Sequence, residues 1–152
     1  MSTFYKLYIY SGRALRPLLL PLTRFFIRST RRAYVVIYKD DEVLLTKNWL
    51  GDGRYALPGG GVHKGESNET AIYREVEEEL GADLKGMKFK HIVKGRWQTD
   101  NLGFIYNIYS LNYDLQKIKT RKLEIVEASW QNVSQLSETN CMPEVLRAIR
   151  NT

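Results

Sequence analysis

The sequence predicts an α/β/α sandwich, a central mixed sheet with helices on both faces. Three observations carry this. Short runs rich in β-branched and aromatic residues recur between residues 33 and 130, separated by turn residues. A helical segment with both ends marked interrupts them, and a second helical pattern closes the chain. At 152 residues, 43% hydrophobic and 26% charged, the chain can bury one sizeable core but not two comfortable ones.

Ala33 to Lys39 and Glu42 to Thr46 read as a strand pair around the turn Asp40-Asp41. Arg54 to Leu57 reads as a short strand leading into Leu57-Pro58-Gly59-Gly60-Gly61, a backbone that can bend sharply and approach a ligand closely. Ser67 is the expected N-cap of the long helix and Gly81 its left-handed stop. Ile72, Val76 and Leu80 form its apolar stripe. Lys88 to Gln98 and Leu102 to Asn112 read as two strands around Thr99-Asp100-Asn101, and Glu124 to Trp130 as another. A short turn-helix at Val133 to Leu136 and a helix over Pro143 to Arg150 complete the set.

The domain reading is a basic, apolar N-terminal segment over 1–32, helical or peripheral, followed by a single domain over 33–152. Residues 1–32 hold seven basic side chains and no acid, so of the net +6 the remainder carries about −1. Arg24, Arg28 and Arg31 or Arg32 suit one face of a short helix beyond Pro21, beside Phe25, Phe26 and Ile27. Three uses stay open: packing against the domain or a second copy in a homodimer, contact of residues 13–32 with an anionic membrane, and tracking the phosphates of a nucleic acid. The apolar run is broken by Pro17, Pro21 and arginines and is too short to span a bilayer, and no cleavage-site pattern follows Leu22. The lone Cys141 forms no internal disulfide and reads as a buried hydrophobe.

The chemistry concentrates between Gly60 and Ala82. At about 100° per residue, Glu75, Glu78 and Glu79 fall on one face of the helix. Like charges three and four residues apart repel by about a few tenths of a kcal/mol per pair. A cluster of hard oxygen donors suits Mg²⁺ or Mn²⁺, whereas zinc would call for His or Cys.

Gly60, Glu66, Arg74, Glu75, Val76, Glu78, Glu79 and Gly81 together resemble the Nudix box, Gly-x5-Glu-x7-Arg-Glu-U-x-Glu-Glu-x-Gly-U, where U is a bulky aliphatic. Only Ala82 departs, being small at the last position. The resemblance extends over about residues 33 to 150. It implies an α/β/α fold and an enzyme that cleaves the pyrophosphate linkage of a nucleoside diphosphate joined to another moiety, by water attack on phosphorus; the expected setting is the cytoplasm, with any membrane-peripheral contact made through residues 13–32. It further implies Glu78 and Glu79 as ligands of Mg²⁺, with Mn²⁺ as substitute, and the Gly59 carbonyl as a backbone ligand. Glu75 would ligate through water or act as general base. Arg74 and Glu66 would orient the glutamates, and Gly60 and Gly61 would meet the substrate. Glu127 and Glu124 are candidates for one further carboxylate from outside the box.

For base stacking, Tyr55, Trp97, Tyr106 and Tyr109 are candidates beside their commoner role as core or cross-strand pairs. His63 stands in the loop where it can meet phosphate, and His91 reads as packing or surface. A non-catalytic nucleotide-binding module is the alternative to a hydrolase, but nothing in the box is degenerate. Nucleoside triphosphates, ADP-ribose, dinucleoside polyphosphates, nucleotide sugars and RNA 5′ ends all remain as substrates.

Overall fold

The computed structural model describes residues 10–11, 14–15, 31–99, 102–120 and 124–151. Its strands are β1 (Arg31–Lys39), β2 (Glu42–Asn48), β3 (Gly59–Gly61), β4 (Lys90–Thr99), β5 (Leu102–Asn112) and β6 (Ile125–Asn132). Its helices are α1 (Asn68–Leu80), a 3-10 turn over Val133–Gln135, and α2 (Pro143–Arg150). The sheet order is β4-β5-β1-β2-β6, with β3 paired to β1. It is mixed: β1 runs parallel to β5 from Arg31↔Ile105 to Tyr38↔Asn112, whereas β2, β3 and β6 join antiparallel.

Strand alternation divides the core into two layers. Ala33, Val35 and Ile37 of β1, with Leu44, Tyr109 and Leu111, pack against Ala71, Ile72, Val76 and Leu80 of α1. Val36, Val43, Leu45 and Ile108 face the other way, onto Val145, Leu146 and Ala148 of α2. The predicted sandwich is thus present. Ile72, Val76 and Leu80 are fully buried, each contributing roughly 1.5–3 kcal/mol relative to exposure.

Local expectations meet mixed outcomes. Ser67 caps α1, its Oγ accepting from the Thr70 N–H at 3.1 Å, and Gly81 ends it at φ 67°. Arg54 to Leu57 is not a regular strand: only Tyr55 and Ala56 form isolated bridges, to Cys141 and Thr46, and the regular pairing comes later, at Gly59–Gly61. The reason lies in the divergence of β2 from β1, which pair only at Tyr38↔Val43 and Lys39↔Glu42. The segment 55–61 enters that gap, bonding first to β2 through Thr46 and Ala56 and then to β1 through Val35 and Pro58. Arg31 and Arg32, placed by pattern on a helix face, open β1 instead. The rest of the expected helix lies outside the described residues, as do residues 13–32, assigned to membrane or homodimer contact, except at 14–15 and 31–32. Among the described residues no helix is long and apolar enough to cross a membrane.

Gly59 sits at φ +129°, and a Cβ there would come within 2.3 Å of the Ala33 carbonyl oxygen. Neither backbone can yield without breaking the β1–β3 pairing, so Gly59→Ala should lower stability by at least about 2 kcal/mol, read as a fall in urea midpoint.

Candidate active site

The site is built where β3 meets the buried edge of α1. Arg74 is its organising cation. Its Nε donates to Glu66 Oε1 at 3.0 Å, Nη1 to Glu75 Oε1 at 2.8 Å, and Nη2 to both the Gly61 carbonyl at 2.8 Å and Glu66 Oε2 at 3.1 Å. Glu78 Oε2 stands 3.7 Å from Nη1. Glu66 also accepts the His63 backbone N–H at 2.8 Å, while the His63 ring itself is exposed. The Arg74 guanidinium, outweighing burial, holds the Glu66 carboxyl below the usual carboxylate value, and Glu66 in turn pushes the Arg74 pKa up.

Glu75 and Glu79 are buried, at 7% and 6% exposure, whereas the Glu78 side chain is 43% exposed. Glu79 Oε2 accepts the Gly59 N–H at 3.0 Å. Gly60 makes room for Glu75: a Cβ on it would lie 2.6 Å from Glu75 Oε1. The helix therefore presents one half-exposed and two buried carboxylates to a glycine backbone that carries no side chains. Gly60→Ala should push the Glu75 carboxylate aside, which a side-chain end can do cheaply. Turnover should drop by about ten-fold or more while the melting temperature barely moves.

The donor set fits a hard divalent cation, because Glu75, Glu78 and Glu79 offer carboxylate oxygen throughout. Among the described residues no three carboxylate, imidazole or thiol groups converge on one point, since Glu75 is turned to Arg74 and Glu79 to the Gly59 N–H. Any ion bound by the three must draw them from these bonds.

The other candidates lie elsewhere. Ala128 and Trp130 of β6 pack toward α1, so Glu127 points to the opposite face. There it accepts from Tyr55 Oη at 2.9 Å, Lys47 Nζ at 3.0 Å and Ser129 Oγ at 3.1 Å. Burial raises the Glu127 pKa, but these bonds together outweigh it and hold the carboxyl below its usual value. Glu124 is exposed ahead of β6, where its carbonyl accepts the Trp49 N–H. Cys141 is fully buried and its thiol pKa is pushed up to about 11 by that burial, which leaves it protonated at neutral pH.

A cavity of about 300 Å³ opens on the α2 side and shares Gly59 with the carboxylate edge. Trp97 and Tyr106 line it, whereas Tyr55 is tied to Glu127, and Tyr109 packs on the α1 side with an edge-on contact to His91 at 5.0 Å. Phe104, Arg32 and Tyr34 also line the cavity, and the sequence reading missed them. Alternation would have found them, since 104, 106 and 108 on β5 and 32, 34 and 36 on β1 share one face.

A NUDIX domain family model matches residues 28–149. The chain belongs to the Nudix hydrolase family. Among solved structures it is similar to the MutT NUDIX hydrolase from Burkholderia pseudomallei, with a TM-score of 0.72 and 20% identity over 82% of this chain and 98% of that one. It is also similar to the E. coli ORF135 protein, with a TM-score of 0.65 and 17% identity over 80% and 86% of the two chains. At those identities the likeness is one of fold.

Among curated relatives, an RNA pyrophosphohydrolase from Hamiltonella defensa is 37% identical over 79 residues, 43% of this chain and 47% of that protein. The NAD-capped RNA hydrolase NudC of Escherichia coli is 28% identical over 103 residues, 67% of this chain and 38% of that protein. The chain thus spans less than half the length of these relatives.

Proposed function

We propose that the chain hydrolyses the pyrophosphate linkage of a nucleoside diphosphate joined to a further group, using Mg²⁺ or, in its place, Mn²⁺. One observation carries this reading: a carboxylate-lined glycine backbone and an aromatic cavity of nucleoside size meet at Gly59. The cation would neutralise the pyrophosphate and the charge developing on the departing phosphate. Glu78, Glu79 and the Gly59 carbonyl are the assigned ligands. Glu75 either ligates through water or takes the proton of the attacking water, and Arg74 Nη1 holds its Oε1 at 2.8 Å. Arg74 and Glu66 hold Glu75 and the Gly61 carbonyl in place without touching the reacting atoms. The nucleoside end occupies the cavity beyond Gly59.

A second reading, cleavage at RNA 5′ ends, is favoured by a row of exposed cations. Lys88, Lys90, Lys94 and Arg96 lie on or just before the edge strand β4. Both relatives named above carry RNA in their names, and phosphate contacts of this kind weaken with added salt. Residues 13–32 support a homodimer contact or a peripheral seat on an anionic membrane inside the cytoplasm; sedimentation with anionic vesicles separates the two.

Incubating the protein with Mg²⁺ and a panel of nucleoside triphosphates, ADP-ribose, dinucleoside polyphosphates, nucleotide sugars and triphosphorylated RNA tests both readings. Metal-dependent release of a mononucleotide or phosphate product supports hydrolysis and names the substrate. Salt-sensitive preference for RNA favours the second reading. Silence across the panel with either metal would leave a nucleotide-binding module.

A further inference from the structure

Gly95 stands in the middle of the edge strand β4, where its backbone gives no reason for a glycine. Its φ is not positive, and a β-branched residue would ordinarily suit a strand better. The reason lies across the strand pair. Gly95 is directly opposite Tyr106 of β5, and a Cβ on it would meet Cζ, Oη and Cε2 of the Tyr106 phenol, all at 2.8 Å or less. The ring therefore lies across the Gly95 backbone, the kind of close approach that a glycine inside a strand often marks.

The neighbouring positions on that face are occupied. Tyr106 has Arg32 beside it on β1, and Phe104 and Ile108 before and after it on β5. Arg32 is itself held, its guanidinium 4.8 Å over the Phe104 ring and its Nη1 donating to Tyr34 Oη at 3.4 Å. With a side chain at position 95 the phenol would have to rise from the sheet. Arg32, Phe104, Tyr106 and Ile108 all line the cavity of about 300 Å³, so a risen phenol fills it.

We propose that Gly95 is a specificity-determining residue: by letting the Tyr106 phenol lie over the edge strand, it keeps the cavity open to a nucleobase, which rests against that ring. This rests on the hydrolase reading only for the identity of the occupant. Gly95 positions Tyr106 and touches no reacting atom. Because the clash would be with the tip of a side chain and not with backbone, a substitution moves the ring and leaves the β4–β5 pairing and the α1 carboxylates as they are.

Calorimetric titration of the full chain, without metal, with AMP, GMP, CMP, UMP and ribose 5-phosphate tests this, since the last keeps sugar and phosphate but has no base. At least one nucleotide should bind about ten-fold tighter than ribose 5-phosphate, the scale of one base stacked on an aromatic ring. In Gly95→Val that advantage should fall to near one while ribose 5-phosphate binds as before, and Gly95→Ala should shift it in the same direction. Adding Tyr106→Ala to Gly95→Val removes the displaced ring and should restore an advantage of about three-fold or more, short of the native value by the lost stacking. In turnover of whichever substrate is cleaved, Gly95→Val should raise KM about ten-fold with kcat changed by no more than about two-fold. No preference for any nucleotide over ribose 5-phosphate, an undiminished preference in Gly95→Val, or an equal loss with and without the Tyr106 ring would each overturn the assignment. A protein that holds nucleotides in this way yet cleaves nothing would refute the hydrolase reading alone, whereas cleavage with KM unchanged in Gly95→Val would refute the role of Gly95 alone.

Discussion

Glu78→Gln should leave the fold untouched and lower Mg²⁺-dependent turnover by about 10²–10³-fold, the loss typical of removing one charge-stabilising group from a reacting centre. The expectation combines two observations. The Glu78 side chain is 43% exposed and Arg74 Nη1 stands 3.7 Å from it, so stability should shift by no more than about 0.5 kcal/mol. Of the three carboxylates on this edge it is also the most exposed, since Glu75 and Glu79 are buried against Gly60 and Gly59. A variant that melts like the native protein but turns over as fast would remove Glu78 from the metal site. Product release by chromatography, paired with a thermal melt, reads both arms.

Arg74→Met should act in the opposite way, on stability first. Methionine fills much of the same volume, but Glu66 loses two charge-assisted bonds and Glu75 loses one, and both carboxylates stay in place with little solvent. Breaking a buried ion pair from one side costs about 3–5 kcal/mol. With the Arg74 side chain 23% exposed, the lower end of that range is expected.

The effect should depend on pH with a definite sign. The folded-state pKa of Glu66 lies below its ordinary value of 4.5, so its stabilising contribution is complete above that value and is lost as pH falls through the folded pKa. In Arg74→Met the unpaired carboxylate gains by taking up a proton, and the gap between native and variant should narrow in acid. Urea melts of both proteins at neutral pH and at about pH 3.5 would show it. A gap that stays constant would mean Arg74 acts by packing alone.

Much of this architecture was legible from residue pattern because the deciding signals are local. The caps of α1, Ser67 and Gly81, need only their own side chain or its absence, and the stripe Ile72, Val76, Leu80 needs only the helical period. The bounds of β5 and α2 were likewise visible in alternation and in Pro143. Segment 55–61 was not, because its pairing depends on where β2 leaves β1, a matter of sheet geometry between residues far apart in sequence. Arg32 escaped for the same reason. Among neighbouring arginines it reads as one more base of a basic segment, and only its partners on β5, Tyr106 and Phe104, give it a different setting.

Within the site, the box residues were found together because one helix and one loop carry them. The cavity was half legible: of the aromatic candidates Trp97 and Tyr106 line it, whereas Tyr109 faces α1 and Tyr55 is tied to Glu127.

Gly59 joins the two halves of this molecule. One of its faces bonds Glu79 and the other borders the cavity, so a single peptide separates the groups assigned to bond breaking from those that would recognise the rest of the substrate. One set rides on α1, the other on the face of β1 and β5 turned away from it. Mutational drift at positions 32, 34, 104 or 106 can therefore reshape which molecule is accepted while the side chains beneath α1 keep their packing. A scaffold partitioned in this way can exchange its clientele without rebuilding its reaction centre.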